Sequence, residues 1–409
     1  MTSCGQSSDP NDQDCSIAYA DSEAASLQGS PPRYDCYGFL VEGDSNTTSA
    51  AGEKKGREGK WLDMLRRWNY FASKKQRKIR SRCRKGIPHC LRGEAWFYLS
   101  GGYKLLENNF NYYSHLLARR PEKKWVDLIN KDITRTFPNH ELFNHLKGQE
   151  QLYNVLCAYS IHNPIIGYCQ SLTPITSVLL MFMPEEQAFW VLVRLCDRYM
   201  VEYHVEGMRG IQIDALIVEE LVKNHLPRCH NMLSNAGVDA ILYVQDWFFC
   251  IFSRSLPWPT VLRIWDIYFF EGKRVLFRVA LVLIKHSLAS LPDNADFYSL
   301  LQALKNPPEE VMVDKFLIAE SLFYSVGNKD LEKLQKVSLN QYERRQQAQQ
   351  ANKRPGLSLP NGKDVESCSR HATVDSNEKF SLSSAPPSAN IDEVFLDSTP
   401  FTDTPSSNT

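Results

Sequence analysis

The chain has 409 residues, of which 43% are hydrophobic and 11% aromatic, enough for a substantial core in one large domain or two. Its 11 cysteines include no Cys-x-x-Cys pair, and its longest apolar runs are far shorter than a membrane span. The N-terminus lacks the basic and apolar pattern of a signal peptide. These features exclude a disulfide framework and a transmembrane helix, and they predict a cytoplasmic protein.

The balanced charge of the whole chain conceals an uneven distribution. Lys plus Arg and Asp plus Glu both total 47, but residues 51–354 contain 43 basic and 31 acidic residues. The acidic excess lies in the two terminal segments. A basic body between acidic tails predicts an acidic partner, such as an anionic membrane face, a nucleic acid or a phosphate-bearing protein.

Residues 1–56 are rich in Ser, Asp, Gly and Asn and poor in large apolar side chains. This composition predicts a mostly disordered acidic tail, because such a segment cannot bury enough apolar surface to fold. One stretch within it, YDCYGFL at residues 34–40, is apolar enough to dock on the domain as a short strand or clip.

A basic amphipathic helix is predicted over residues 57–85. Apolar side chains recur at helical spacing from Trp61 to Phe71, and the run KKQRKIRSRCRK continues the same helix. The cations of interest are Lys74, Lys75, Arg77, Lys78, Arg80 and Arg82. They could contact the headgroups of an anionic membrane, or they could form an ordinary solvated face. Nucleic acid is not expected as a partner, because the run has no interleaved aromatic residues.

The rest of the chain has the periodicity of helices and no convincing alternating strand pattern. We predict an all-α fold, with a large multi-helix domain over residues 86–300, as one body or as two lobes. Further helices are expected over residues 301–354, ending in a very polar terminal helix. Residues 355–409 are dominated by Ser, Thr and Pro, which predicts a second disordered tail.

Familiar catalytic motifs are missing. The nearest approach to a phosphate loop is GREGKW at residues 56–61, but Trp61 stands where a Ser or Thr is required. The sequence contains no GxGxxG, GxSxG or HExxH pattern, and its histidines are dispersed. We therefore predict no cofactor and no metal site belonging to the chain itself.

Residues 123–138 read KKWVDLINKDITRTFP and predict an amphipathic helix. On a helical wheel, Asp132 falls inside the apolar arc that runs from Leu128 through Trp125 to Phe137, and Arg135 falls at its edge, next to Leu128. The two residues are three apart and can touch, and Pro138 places Arg135 in the last turn. A buried carboxylate needs a partner, so a structural ion pair is the simplest interpretation of this pair alone.

Two further stretches combine with this pair. LRGEAWFYLSGG places Arg92 and Trp96 one helical turn apart, before a glycine stop. NPIIGYCQSLTP places Tyr168 and Gln170 in a loop that leads into an apolar helix with Pro174 in its first turn. A glutamine at that position could simply cap the helix.

Together the three stretches resemble the TBC domain of GTPase-activating proteins for Rab GTPases. The amino-acid sequence around them is similar to that of the carabin-type subgroup. The signature forms RxxxW, IxxDxxR and YxQ occur in that order, as Arg92 to Trp96, Ile129-Asn-Lys-Asp132-Ile-Thr-Arg135 and Tyr168-Cys-Gln170. The later stretch LPWPTVLRIWDIYFFEG at residues 256–272 is similar to the family as well. The resemblance covers residues 85–300.

The resemblance implies that Arg135 is an arginine finger and Gln170 a glutamine finger, both inserted into a partner GTPase that carries GTP and Mg²⁺. Asp132 would orient Arg135, and Arg92, Trp96 and Tyr168 would build the floor and walls of the site. The expected partner is a Rab-family GTPase, and the expected process is membrane traffic, with the protein cytoplasmic or peripheral at the plasma membrane or vesicles.

Two other functions fit the same residues. The fold could serve as a non-catalytic scaffold that holds a GTPase, or the target could be a Ras-like GTPase or a phosphatase.

Overall fold

The computed structural model describes residues 33–41 and 55–353. Within these residues every regular element is a helix, and the only β-type pairing consists of two isolated bridges, which confirms the all-α prediction. None of the helices found there is both long and apolar enough to cross a bilayer. Most of the tail predicted over residues 1–56, and all of the tail predicted over 355–409, lies outside the described residues.

The described part of the chain contains nineteen α-helices. They are α1 (Lys55–Arg66), α2 (Trp68–Lys74), α3 (Gln76–Lys85), α4 (Arg92–Ser100), α5 (Gly102–Asn108), α6 (Tyr112–Leu117), α7 (Lys123–Ile133), α8 (Glu141–Asn144), α9 (Leu146–His162), α10 (Leu172–Leu180), α11 (Glu185–Arg194), α12 (Arg209–His225), α13 (Pro227–Asn235), α14 (Ile241–Phe248), α15 (Trp258–Glu271), α16 (Arg274–Ser287), α17 (Phe297–Lys305), α18 (Asp314–Ser321) and α19 (Asn328–Lys353). A 3₁₀ turn precedes α4 at His89–Leu91, and a π-helical turn follows α11 at Leu195–Tyr199.

The prediction of one basic helix over residues 57–85 is wrong, because the segment forms three helices. The chain leaves helical geometry at Arg67 and Lys75, although neither is a glycine or proline. Tertiary packing overrides the local pattern here. A straight helix of this length would extend about 45 Å, whereas the breaks let α3 turn back and bury Ile79 and Cys83 against α15.

Several helix ends follow directly from the sequence. Gly101 terminates α4 with φ of 79°, the left-handed conformation that glycine adopts most readily. Pro184 precedes α11, whose first turn carries the acidic pair Glu185 and Glu186, favourable next to the positive end of the helix dipole.

The helices pack in two groups around one core. In the first, α9 contacts α7, α8, α10 and α11, and in the second, α12 contacts α13, α14, α16 and α19. Helix α15 links them: it contacts α4, which contacts α11 of the first group, and it contacts α16 of the second group. The buried apolar side chains form a single cluster that extends from Trp61 to Val326, so the two groups share one hydrophobic core.

Residues 33–41 dock on the domain as a clip, as predicted for the YDCYGFL stretch. Tyr34 pairs with Leu40 within the segment, and Phe39 pairs with His140, just beyond α7. We call residues 33–41 the N-terminal clip.

Candidate functional site

Arg135 lies in the turn directly after α7. The helix ends at Ile133, one turn earlier than the wheel assumes, so Arg135 is not in its last turn. The Thr136 hydroxyl donates a 2.6 Å hydrogen bond to the carbonyl of Asp132 and closes this turn. Phe137, directly before Pro138, adopts φ of 46°, so it has left helical geometry and with it the predicted apolar arc.

The carboxylate of Asp132 is buried, while the Arg135 side chain beside it is 58% exposed. Arg135 donates to Asp132 Oδ1 from Nε, at 2.8 Å, and from Nη2. A guanidinium has five N–H donors, so three remain available for another molecule. The guanidinium of Arg135 therefore presents a positive charge at the surface, and the buried carboxylate of Asp132 fixes its orientation.

Tyr168 brings the loop before α10 to the same carboxylate. Its hydroxyl donates to Asp132 Oδ2 and lies 2.6 Å from the hydroxyl of Thr173, in the first turn of α10. Burial, and secondly the hydrogen bond to Asp132, raise the pKa of Tyr168 well above its usual value, so the phenol keeps its proton. Asp132 thus joins α7 to α10.

A second contact fixes this loop against α7. Gly167 has φ of 60°, and a Cβ placed on it would lie 2.3 Å from the indole ring of Trp125. Only glycine leaves room for the indole there. The Nζ of Lys124 lies 4.5 Å from the centre of the same indole, a cation–π contact that adds to the packing of the ring.

Gln170 is exposed in the turn two residues after Tyr168. Its backbone carbonyl, and not its amide, accepts the hydrogen bond from the N–H of Thr173 at the start of α10. Next to it, Ser171 Oγ lies 3.2 Å from Nδ1 of the buried His204. The turn that carries Gln170 is therefore anchored on both sides, and the amide side chain faces solvent.

Arg92 and Trp96 belong to a different cluster. Arg92 donates to the carboxylate of Asp266 from Nε at 3.0 Å and from Nη2 at 3.3 Å, and the Trp96 indole N–H donates to Oδ1 at 3.0 Å. All three side chains are buried. No hydrogen bond or ring contact within the described residues joins this cluster to Arg135. These contacts lock α4 onto α15, and the place of Arg92 and Trp96 in the floor and walls of the site stays a prediction.

Sequence reasoning missed several residues that hold either the Arg92 cluster or the loop of Gln170 in place. Asp266 carried a signal, since it lies in the family-like stretch at residues 256–272, but its partners could not be read from that stretch. Thr173, Trp125 and His204 carried none, because a threonine, a tryptophan and a histidine in such positions are ordinary residues of a helical core.

The sequence of this chain is similar to that of known proteins. The model of the Rab-GTPase-TBC domain matches residues 89–291. The protein TBC1 domain family member whacked of Drosophila melanogaster is 45% identical over 267 residues, which cover 64% of this chain and 74% of that protein. The chain belongs to the Rab-GTPase-TBC domain family. Arg135 and Gln170 both lie within the matched residues.

Other members of the TBC family extend the comparison. Mouse carabin is 38% identical over 316 residues, covering 74% of this chain and 70% of carabin, in agreement with the resemblance to the carabin-type subgroup. Human TBC1 domain family member 10B is 43% identical over 70% of this chain, but the chain spans only 36% of that protein's length. The crystal structure of the Chlamydomonas flagellar RabGAP TBC domain superposes with a TM-score of 0.56 at 29% identity, covering 71% of this chain and 99% of that one.

The predicted basic surface of this TBC protein is only partly available to a partner. Lys74, Lys75, Lys78 and Arg80 are exposed on α2, α3 and the break between them, as is Arg77. Arg82 is half-buried, with its guanidinium 5.4 Å from the Phe71 ring centre.

Proposed function

We propose that this TBC protein is a GTPase-activating protein that stimulates GTP hydrolysis by a Rab-family GTPase, with Arg135 and Gln170 supplied in trans. One observation carries the proposal. In a chain of this family, the half-exposed guanidinium of Arg135 is fixed by the buried carboxylate of Asp132. An exposed ion pair such as Arg67–Asp63 differs from it, because there the carboxylate is exposed as well, whereas Asp132 is buried beneath an exposed guanidinium.

Arg135 would act on the charge that develops as the partner hydrolyses its GTP. Negative charge grows on the transferred phosphoryl group, and a guanidinium inserted from outside stabilises it at the moment of reaction. The gain expected for an arginine finger is about 10³–10⁵ in rate, or roughly 4–7 kcal/mol. Because Asp132 holds Nε and Nη2, the donors left for phosphate oxygens are those of Nη1 and the second N–H of Nη2.

Gln170 would orient the attacking water. An amide both donates and accepts hydrogen bonds, so it can hold a water and the GTPase backbone at the same time. Tyr168 and the Ser171–His204 contact fix the turn on either side of Gln170, which limits the entropy that the glutamine would lose on docking. The partner GTPase supplies both GTP and Mg²⁺, and this chain supplies the two side chains.

The experiment is a panel of GTP-loaded Rab proteins, assayed for phosphate release in single turnover with the full-length chain. At least one Rab should be accelerated, and Arg135→Ala and Gln170→Ala should each nearly abolish that acceleration. Arg66→Ala is the matched control, because Arg66 is exposed on α1, far along the chain from the site. Equal melting temperatures would show that the variants remain folded.

The alternatives give different results in the same assay. A non-catalytic scaffold would bind a Rab without accelerating hydrolysis by any member of the panel. A regulator of a Ras-like GTPase would be inactive on Rab proteins and active on Ras-like ones, and a phosphatase regulator would be inactive on both. Full activity of Arg135→Ala would refute the finger mechanism.

We further propose that the protein is cytoplasmic and reaches its GTPase at an anionic membrane, through the exposed cations of the basic surface. Lys74, Lys75, Lys78 and Arg80 support this, whereas the half-buried Arg82 donates to the carbonyl of Lys60 and packs over Phe71. Reversing the charge of Lys74, Lys75 and Lys78 should weaken co-sedimentation with phosphatidylserine vesicles. Unchanged co-sedimentation would argue against this surface.

A further inference from the structure

The N-terminal clip is attached to the chain that directly follows Arg135. The N–H of Leu40 donates to the carbonyl of Asn139 at 2.8 Å, and the N–H of Glu141 donates to the carbonyl of Gly38 at 2.8 Å. The clip thus pairs with residues 139–141, although it lies well outside the residues 89–291 that match the family model. It therefore packs against the segment that follows the turn of Arg135.

The shape of the clip is set by its own sequence. The Asp35 carboxylate accepts hydrogen bonds from the N–H groups of Tyr37, at 2.8 Å, and Phe39, at 2.9 Å. Gly38 has φ of 90°, and a Cβ placed on it would lie 2.9 Å from Nε2 of His140. A glycine is required there both by the backbone conformation and by the close approach of the imidazole.

His140 holds the clip through its side chain. Its Nδ1 accepts a hydrogen bond from the N–H of Leu142 at 3.1 Å, which leaves Nε2 to donate to the carbonyl of Tyr37 at 3.0 Å. A neutral imidazole satisfies both bonds. Burial lowers the pKa of His140, consistent with that neutral form.

Phe39 packs on Phe137, which lies at the end of the turn that carries Arg135. Its ring centre lies 6.1 Å from that of Phe137, 4.9 Å from that of His140 and 5.1 Å from that of Trp258. Phe137 is two residues after Arg135 and has φ of 46°, an unfavourable conformation for a bulky residue that surrounding contacts must maintain. Phe39 supplies part of that support from outside the matched domain.

The clip also reaches the cluster around Asp266. The ring of Tyr37 lies 5.5 Å from that of His89, edge to face, and Nδ1 of His89 lies 3.3 Å from Nη1 of Arg92. The clip therefore touches both the segment after Arg135 and, through His89, the Arg92 cluster. It connects two parts of the domain that the family motifs mark separately.

We propose that the N-terminal clip is an intrachain brace for the arginine finger, and that Phe39 is a positioning residue that holds the turn of Arg135 through Phe137. This inference rests on the proposed function for its catalytic consequence, but the brace itself does not. Without the clip, residues 134–141 lose two backbone hydrogen bonds and the aromatic cover of Phe137. Arg135 would then spend less time in the orientation set by Asp132.

The test uses the full-length chain with Phe39→Ala, and with Leu40→Ala as the matched control. Leu40 is exposed, and its contribution to the pairing is a backbone N–H that the substitution keeps. With a Rab that the wild-type chain accelerates, Phe39→Ala should lower kcat by about tenfold or more and leave KM within about twofold. Leu40→Ala should behave like wild type.

A double variant separates positioning from a general loss of structure. If Phe39 acts through Arg135, adding Phe39→Ala to Arg135→Ala should cause no further loss of kcat, whereas an independent role would lower the residual rate again. An additive loss, or a full kcat in Phe39→Ala, would overturn the proposal. Should Phe39→Ala fail to fold, Phe39→Leu is the milder variant, judged by the same criteria.

Hydrogen exchange keeps the brace testable even if no GTPase is accelerated. In the wild-type chain the amides of Leu40 and Glu141 should be protected, and Phe39→Ala should speed exchange in peptides covering residues 134–142 while leaving α9 and α11 unchanged. Rapid exchange of these amides in the wild-type chain would refute the brace. Protection without any GTPase activation would instead refute the proposed function and leave the brace standing.

Discussion

The buried carboxylate of Asp132 accepts a hydrogen bond from the hydroxyl of Tyr168, 36 residues further along the chain. Through this bond the turn that follows α7 and the loop that precedes α10 share one acceptor. Arg135 extends from the first and Gln170 from the second, so a single carboxylate sets the relative placement of the two proposed fingers.

Replacing Asp132 with Ala should affect both stability and activity. The substitution leaves the buried Tyr168 hydroxyl with Thr173 as its remaining partner and releases Arg135, for a cost of about 1–3 kcal/mol in the free energy of unfolding. Urea unfolding would measure it. Asp127→Ala is the control, because Asp127 is exposed on the same helix and should change stability by less than about 0.5 kcal/mol. Equal unfolding curves for the two variants would contradict the assignment.

Arg135→Lys should be nearly as inactive as Arg135→Ala. Lysine keeps the positive charge but lacks the planar fork with which Arg135 binds Asp132 and still presents donors outwards. We expect a loss of at least about 10²-fold in the single-turnover rate. Measuring the rate at increasing concentrations of the chain separates weak binding from slow hydrolysis. A lysine variant with wild-type activity would mean that charge alone suffices.

Gly167→Ala should displace the loop that carries Gln170. The added methyl group would collide with the Trp125 indole, and alanine is strained at φ of 60°, so we expect a loss of about 1 kcal/mol or more in stability together with reduced activity. Thermal unfolding and the GTPase assay would report both. Gly59→Ala is the control: it lies in α1 with open space around it, and alanine should stabilise the helix there.

The free energy of unfolding should depend on the ionisation of His204. Burial lowers the pKa of His204 from 6.5 to about 4, so the unfolded chain binds more protons between these values. Stability contributed by the neutral ring is therefore complete above about pH 6.5 and falls as the pH drops towards 4. The difference between pH 7.5 and pH 5 should be about 2 kcal/mol.

Comparing variants isolates this contribution, since burial also lowers the pKa of His140 and His162. His204→Gln should reduce the loss of stability between pH 7.5 and pH 5, measured by urea unfolding at each pH. His145→Gln, at an exposed position, should leave that loss unchanged. An identical pH dependence in wild type and His204→Gln would show that His204 does not titrate in this range.

The burial of Asp132 and its pairing with Arg135 could be predicted because they depend on local geometry, whereas the end of α7 at Ile133 was not predicted. A period of 3.6 residues puts Asp132 on the buried side of α7, and a buried carboxylate requires a donor nearby. The family could be named by resemblance, because the three motifs and their order can be read from the chain alone. The glycine stop of α4 and the docking of the YDCYGFL stretch also followed from residue type.

Only the tertiary structure decided which distant segment packs against the buried side of each helix. The apolar spacing from Trp61 to Cys83 suits one long helix, yet the chain breaks at Arg67 and Lys75, because α3 gains more by packing on α15. Arg92 is equally clear in the sequence, but its partner Asp266 lies 174 residues away. Periodicity specifies that a side chain is buried and cannot specify against what, because that depends on contacts between distant segments.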